Sequence, residues 1–155
     1  MRAGELCIRD VVTARADESV CDAARRMSEL RVGNVIVVEE RAHGMPRPIG
    51  ILTDRDLVVR VYAEPDVAGA NLVVGDVMRR ELVVAHESDE VEAVLGKMRE
   101  HEIRRIPIVD RDGGLQGVIA LDDIVGWMSE QLRVATRLLE HQGRGPHVPL
   151  APRFG

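Results

Sequence analysis

The sequence predicts a mixed α/β (α+β) fold built from two copies of one unit. Each copy reads strand, helix, strand, strand, helix, and the two pack with pseudo-twofold symmetry. Three observations predict this. The first is an internal repeat: Gly4 to Val38 lies on Gly75 to Val109 without a gap, matching Val12 with Val83, Ala14 with Ala85, Val20 with Val91 and Met27 with Met98. After a longer loop in the first copy, Gly50-Ile51-Leu52 lies on Gly117-Val118-Ile119, and Asp56-Leu57-Val58 on Asp123-Ile124-Val125. The second is that helical spacing and short β-branched runs follow in the same order in both copies. The third is size: a copy of about 60 residues buries too little surface to stand alone. The copies therefore share one core. A repeat fixes architecture ahead of any local signal, and it places function in the clefts between copies.

In the first copy, Val11-Val12-Thr13-Ala14 reads as a short strand. Asp17-Glu18-Ser19 offers capping side chains and early negative charge for a helix start. Val20, Ala23, Ala24, Met27 and Leu30 recur at helical spacing. Gly33-Asn34 is expected to end that helix, since both residues tolerate the left-handed conformation. Val35 to Val38 is a buried strand, Glu39 to Pro48 a loop, and Ile49 to Leu52 a second strand. Asp54 to Ala63 opens another helix, with Leu57, Val58 and Val61 expected on one face. The second copy gives a strand over Glu81 to Ala85, then a helix with Val91, Val94, Leu95 and Met98 on its face. Strands over Ile106 to Val109 and Leu115 to Ala120 flank the turn Asp110 to Gly114. A helix from Asp122 or Asp123 runs past Trp127 towards His141. The repeats are assigned to residues 1–66 and 67–141, and residues 142–155, with three glycines and three prolines, to a flexible tail.

The net charge is −5 and aromatics are 2%, which argues against a nucleic-acid binder. No apolar run approaches the ~20 residues of a membrane span, and Met1 to Leu6 has no apolar leader core. A cytoplasmic protein is the expectation. Cys7 and Cys21 are too few for a disulfide framework. The five histidines show no ligand spacing with cysteine or carboxylates, so no metal is expected. No serine sits in a strand-to-helix elbow and no acid–base pair stands out, so an enzyme is not expected.

Three stretches carry a family likeness. They are Val74-Gly75-Asp76-Val77-Met78, the run from Glu102 to Asp110, and Gly50-Ile51-Leu52-Thr53-Asp54-Arg55-Asp56-Leu57. In this order, and duplicated, they resemble the CBS-domain pair, or Bateman module, over roughly residues 3 to 140. With no other domain, the chain is similar to the small stand-alone bacterial CBS proteins, including those called hypoxic response proteins. The resemblance implies ligand binding rather than catalysis. It implies an adenosine-containing ligand (AMP, ATP or S-adenosylmethionine) in clefts between the repeats, a homodimer, and regulation of a protein partner whose identity the sequence does not carry.

The resemblance also implies site residues. Thr53 and Asp56 stand where the family has its nucleotide signature. Asp56 can accept both ribose hydroxyls, while the Thr53 hydroxyl and nearby free amides can meet a phosphate, with Arg55 as a cation. The same spacing also reads as a capping box, with Asp in place of Glu or Gln. Arg104 and Arg105 fall where several CBS pairs place phosphate-binding residues, and an arginine fork suits phosphate oxygens. They equally suit the end of a helix dipole. Ile51, Ile103 and Pro107 match ligand-lining positions and are equally good core residues. The second copy keeps Asp123 but has Ala120 in place of the threonine, and Val32-Gly33-Asn34 lacks the arginine pair. One competent cleft and one vestigial cleft are expected. The competing function is a non-catalytic dimerisation or interaction module with empty clefts.

Overall fold

The computed structural model describes residues 1–63 and 71–142. The expected boundary at residues 66 and 67 lies outside the described residues, as does the expected tail beyond residue 142. The chain falls into two units, Met1–Leu121 and a second that begins at Asp122. The first unit holds two three-stranded sheets, one from each copy, as tandem repeats of the same topology.

In the first copy, β1 (Thr13–Arg15) pairs parallel with β2 (Asn34–Glu39), which pairs antiparallel with β3 (Arg47–Thr53). In the second, β4 (Ala85–His86), β5 (Arg105–Val109) and β6 (Leu115–Ala120) repeat the order and the directions. A register shift falls at Val37/Val38 in one sheet and at Ile108/Val109 in the other, so even the irregularity is duplicated. Ser19 accepts the Cys21 amide and starts helix α2 (Val20–Leu30), whose Val20, Ala23 and Met27 are buried. The matching helix of the second copy, here α5 (Val91–Glu100), buries Val91, Val94 and Met98.

The copies interlock through their opening segments. Helix α1 (Ala3–Leu6) belongs in sequence to copy one, yet Ala3 and Gly4 donate their amides to the carbonyls of Asp89 and Glu87 in copy two. Helix α4 (Val74–Val77) opens copy two, yet Val74 and Gly75 donate to Glu18 and Ala16 in copy one. Val74, Val77 and Met78 are buried in one cluster with Ala14, Met27, Val35 and Leu52. The opposite face of β2 packs Ile36 and Val38 against Leu115 of β6. Both faces of β2 are thus covered, which is why its apolar run is continuous rather than alternating.

Two aligned glycines allow the crossings. A Cβ on Gly50 would sit 2.8 Å from the Arg79 carbonyl oxygen and 2.8 Å from Met78 Sδ. A Cβ on Gly117 would sit 2.7 Å from Cys7 Sγ and 2.8 Å from the Ile8 carbonyl oxygen. No real side chain fits either place, so glycine is required where the backbones touch.

Several expected boundaries differ from the observed ones. Helix α2 ends on Arg31, not on Gly33-Asn34: Arg31 takes the left-handed conformation (φ 54°) and its amide caps Met27 and Ser28, while Asn34 already belongs to β2. Arg47 and Pro48 belong to β3 rather than to the loop, because the irregular register opposite Val38 accommodates a residue without an N–H. Residues 81–84 form no strand, so β4 is shorter than expected. The helix after β3 is α-helical only over Asp54–Leu57 (α3) and continues as a π-turn over Val58–Tyr62. That turn changes the facing: Leu57 and Val61 reach the core, but Val58 is exposed.

Helix α6 spans 22 residues, Leu121–Gln142, and the second unit begins at its second residue, Asp122. It exposes Val125, Met128, Leu132, Leu138 and Leu139. No helix among the described residues is long and apolar enough to cross a membrane.

Candidate functional site

The end of β3, the start of α3 and the loops before β4 and β5 enclose a cleft of about 1050 Å³. The position of each wall follows from the interlock. Ile51 and Arg79 exchange backbone hydrogen bonds of 3.0 and 2.9 Å, which sets the opening segment of copy two beside the exit of β3. Glu102 adopts a left-handed conformation (φ 53°) and turns the chain from α5 towards β5. That turn brings Ile103, Arg104 and Arg105 to the other side of the cleft.

Six of the residues expected at the site line this one cleft: Ile51, Thr53, Arg55, Ile103, Arg104 and Arg105. Ile51, Thr53 and Ile103 are half-buried, and the three arginines are exposed. The guanidinium groups of Arg55, Arg104 and Arg105 make no hydrogen bond or ion pair among the described residues. Pro107 does not line the cleft; it is buried in β5 opposite Val118. Asp123 lies in the second unit, where it makes an interaction of its own.

Asp56 sits behind the cleft wall, 2% exposed, and is the one buried charged residue among the described residues. Both its carboxylate oxygens are engaged. Oδ2 accepts the Thr53 amide at 3.1 Å and the Thr53 hydroxyl at 2.7 Å. Thr53 Oγ1 in turn accepts the Asp56 amide at 3.1 Å, which closes a capping box. Oδ1 accepts Arg79 Nε at 2.8 Å, with Arg60 Nε at 3.8 Å. Burial pushes the Asp56 carboxyl up, but hydrogen bonds from Thr53 and Arg79 outweigh it and hold the group below its ordinary value. Asp56 is therefore an anion, and the arrangement neutralises it without leaving a buried polar atom unpaired.

Sequence reasoning missed Arg60, Arg79 and Arg80, which also line the cleft. The signals were present. Arg79-Arg80 directly follows the Val77-Met78 that opens copy two, and Arg60 stands one helical turn after Asp56. Arg79 carries the most consequence, since it joins the cleft to the buried carboxylate. Among the described residues no group of three or more histidine, cysteine or acidic side chains could hold a metal ion.

Chemically, the cleft offers apolar side chains for a flat ring, a hydroxyl, a masked carboxylate and several unpaired guanidiniums. Among its described lining residues no nucleophile is paired with a base. Its acidic lining residues, such as Asp54 and Glu81, are exposed.

The CBS domain model matches residues 3–63 and 74–130. Protein MK0525 of Methanopyrus kandleri is 35% identical over 125 residues, covering 79% of this chain and 60% of that protein. The CBS domain-containing protein YhcV of Bacillus subtilis is 35% identical over 122 residues, covering 78% of this chain and 81% of that protein. Inosine-5'-monophosphate dehydrogenase of Nitrosopumilus maritimus is 28% identical, but the match spans only 23% of that enzyme. Among solved structures, the CBS domain pair of protein MJ0100 in complex with 5'-methylthioadenosine and S-adenosyl-L-methionine superposes with a TM-score of 0.71 at 21% identity, over 84% of this chain and 98% of that one. The cytosolic domain of the Mg2+ channel MgtE in complex with ATP gives 0.67 at 25%, over 81% and 48%. Hypoxic Response Protein I with two coordinated zinc ions gives 0.69 at 24%, over 81% and 97%.

Proposed function

The chain belongs to the CBS-domain family as a tandem pair, and on that premise we propose that it is a non-catalytic regulatory module binding an adenosine-containing nucleotide. The carrying observation is the one cleft that gathers Thr53, Ile51 and Ile103 with the unpaired arginines Arg55, Arg104 and Arg105. Support comes from the adenosine ligands held by the MJ0100 pair and the MgtE domain. The base packs between Ile51 and Ile103, and the phosphate meets Arg104 and Arg105. Asp56 receives the ribose hydroxyls only when Arg79 leaves its Oδ1. Arg79 is half exposed and can swing to the phosphate, so ligand binding exchanges one charge pair for two. That exchange moves the opening segment of copy two and is the signal passed to a protein partner.

Titration calorimetry against AMP, ATP and S-adenosylmethionine tests the reading, alongside mass spectrometry of small molecules retained in native purification. Saturable binding of at least one ligand, weakened by Thr53→Ala, is expected. No binding at millimolar concentration would overturn it.

A second reading is favoured by the complete internal pairing of Asp56, which suits a cleft that stays empty. The chain would then act by self-association. The exposed Val125, Met128, Leu132 and Leu139 of α6, with Ala135, follow the alternating three-and-four spacing of a helix-pairing seam. A homodimer belongs to both readings. Light scattering of the full chain and of Leu132→Lys separates dimer from monomer.

A further inference from the structure

Apart from the nucleotide cleft, we infer a second and independent binding site at the other end of β3 and β5, shaped for a phosphate monoester with a compact apolar body and no sugar. The site is a cleft of about 570 Å³, within the range of small-ligand pockets. Arg47, Arg80 and Arg111 stand on its rim, and Ile49, Leu82 and Val109 give it an aliphatic floor. Arg47 opens the seven-residue β3 and Thr53 closes it, which sets Arg47 roughly 20 Å from the nucleotide cleft. Arg80 and Leu82 line both clefts and form the wall between them.

The repeat supplies an internal comparison, because the aligned place in the other copy is filled and paired. Arg9, the counterpart of Arg80, makes the same tie to a glycine carbonyl, Gly4 in place of Gly75. Arg9 also donates to Gln116 Oε1 at 3.4 Å, whereas the position aligned with Gln116 is Ile49, which has no acceptor in its side chain. Glu40 stands where the open cleft has Arg111. Val11, Val38 and Leu115 pack together in one cluster, while their counterparts Leu82, Val109 and Pro48 line the cleft. Gly114 stands where the cleft has Arg47, and a Cβ there would sit 2.9 Å from Met45 Cβ. The scaffold therefore does not require this place to be open or cationic; the side chains of one copy make it so.

The frame around the cleft is held before any ligand arrives. Asp110 Oδ1 accepts the amides of Asp112 at 2.9 Å and Gly114 at 2.8 Å, and Arg41 donates to the Asp112 carbonyl at 2.8 Å. These bonds fix the turn that carries Arg111. Leu115 donates its amide to the Pro46 carbonyl at 2.8 Å, which fixes the residue before Arg47. The guanidinium groups of Arg47 and Arg111 make no hydrogen bond or ion pair among the described residues, and Arg80 keeps donors beyond its tie to Gly75. Three guanidiniums against one lining carboxylate, Asp112, leave two positive charges in a chain whose net charge is −5. Two positive charges and guanidinium forks complement a phosphate monoester dianion. No hydroxyl or carboxamide side chain lines the cleft to receive a sugar, so the aliphatic floor calls for an apolar body instead.

The test is titration calorimetry of the full chain at low salt against phenyl phosphate, inorganic phosphate and benzoate, with AMP as competitor. Phenyl phosphate should bind at least about tenfold more tightly than inorganic phosphate, which lacks the apolar body, and than benzoate, which carries a single charge. The double variant Arg47→Ala, Arg111→Ala should lose at least about tenfold for phenyl phosphate. The double variant Arg104→Ala, Arg105→Ala should keep it within about twofold, as should saturating AMP, because those groups belong to the other cleft. All four arginines are exposed, so both variants should melt like wild type, and a thermal scan verifies that. Loss in the Arg104, Arg105 variant alone, or displacement by AMP, would put the anion in the nucleotide cleft; that overturns the second site and leaves the nucleotide reading standing. Equal affinity for phenyl phosphate and inorganic phosphate would overturn the apolar body, and equal affinity for benzoate the dianion. No binding of phenyl phosphate at millimolar concentration would overturn the site itself.

Discussion

The two copies of the repeat agree where the backbone is held and differ at several polar positions that line the cleft. Arg26 donates to the Thr13 carbonyl and pairs with Glu18, and Lys97 donates to Val84 and pairs with Asp89 at the aligned positions. Arg31 and Glu102 are both left-handed. Gly50 and Gly117 are both closed to any side chain. Several polar lining positions differ in kind. Thr53 aligns with Ala120, Arg79 with Ile8, and Arg104-Arg105 with Gly33-Asn34. The shared positions are those the fold needs twice. The unshared ones help assemble a polar, basic cleft from parts of both copies.

The largest expected effect comes from Asp56. Asp56→Ala breaks the reciprocal half of the capping box on α3 and removes the buried acceptor of Arg79, leaving the Thr53 amide without its partner. An unsatisfied buried amide costs about 1–3 kcal/mol and charged hydrogen bonds about 1.5–3 kcal/mol. A combined loss of about 2–4 kcal/mol should lower the melting temperature by roughly 5–15 °C. Asp123→Ala should cost less, since Ala120 has no hydroxyl to complete the same box. Equal losses would erase the distinction between the copies.

The crossings come next. Gly50→Ala and Gly117→Ala each force a Cβ against backbone oxygen at 2.8 Å. Overpacking of this kind costs about 1–3 kcal/mol. The two variants should fall within about 1 kcal/mol of each other, because the geometry is the same in both copies. Chemical denaturation reads this directly. A Gly117→Ala variant as stable as wild type would show that the second crossing is looser than the first.

The repeat, the strand order and the helix faces were legible because each is a periodic signal present twice. Val20, Ala23 and Met27, or Val91, Val94 and Met98, announce themselves by spacing. The exchange of opening segments was not legible. Helices α1 and α4 are four residues long, too short for periodicity, and their partners are distant in sequence. The left-handed Arg31 was hidden because nothing in arginine prefers that conformation; tertiary packing imposes it. At the cleft, Thr53, Arg104 and Arg105 could be named from motif position. The state of Asp56 could not, because its partner Arg79 lies in the other copy. Capping and ligand contact looked like rival readings of the same four residues. In the structure the cap is formed through Oδ2, and the ribose contact proposed above would displace Arg79 from Oδ1.

Acid titration sharpens the same point. The Asp56 carboxyl lies below its ordinary value of 3.8, so its folded form binds a proton less readily than the unfolded chain. Its stabilisation is fully present above the unfolded value and is lost as pH falls through the lower folded value. Wild type should therefore lose part of its stability below about pH 4, and Asp56→Asn should show a shallower decline over that window. Equal slopes would mean that other carboxylates, such as Asp89 beside Lys97, dominate the acid limb.

The smallest effect expected is also the most direct measure of how alike the two scaffolds are. Arg26 and Lys97 do one job twice: each ties a carbonyl at the entry to its sheet to a carboxylate before its helix. The pairings are partly exposed, with Arg26 and Glu18 at 35% and 24% and Lys97 and Asp89 at 34% and 26%. Solvent screening limits such a pair to about 0.2–1 kcal/mol. Arg26→Ala and Lys97→Ala should each cost about 1 kcal/mol, somewhat more than the ion pair alone because the carbonyl bond goes too. The two sites share no partner, so the double variant should show the sum within about 0.5 kcal/mol. Lys97→Arg should be nearly neutral, since one carbonyl and one carboxylate ask only for a cation with two donors. A loss above about 2 kcal/mol in one copy alone would mean that its helix depends on this tie in a way the other does not, and the symmetry of the scaffold would stop at the backbone.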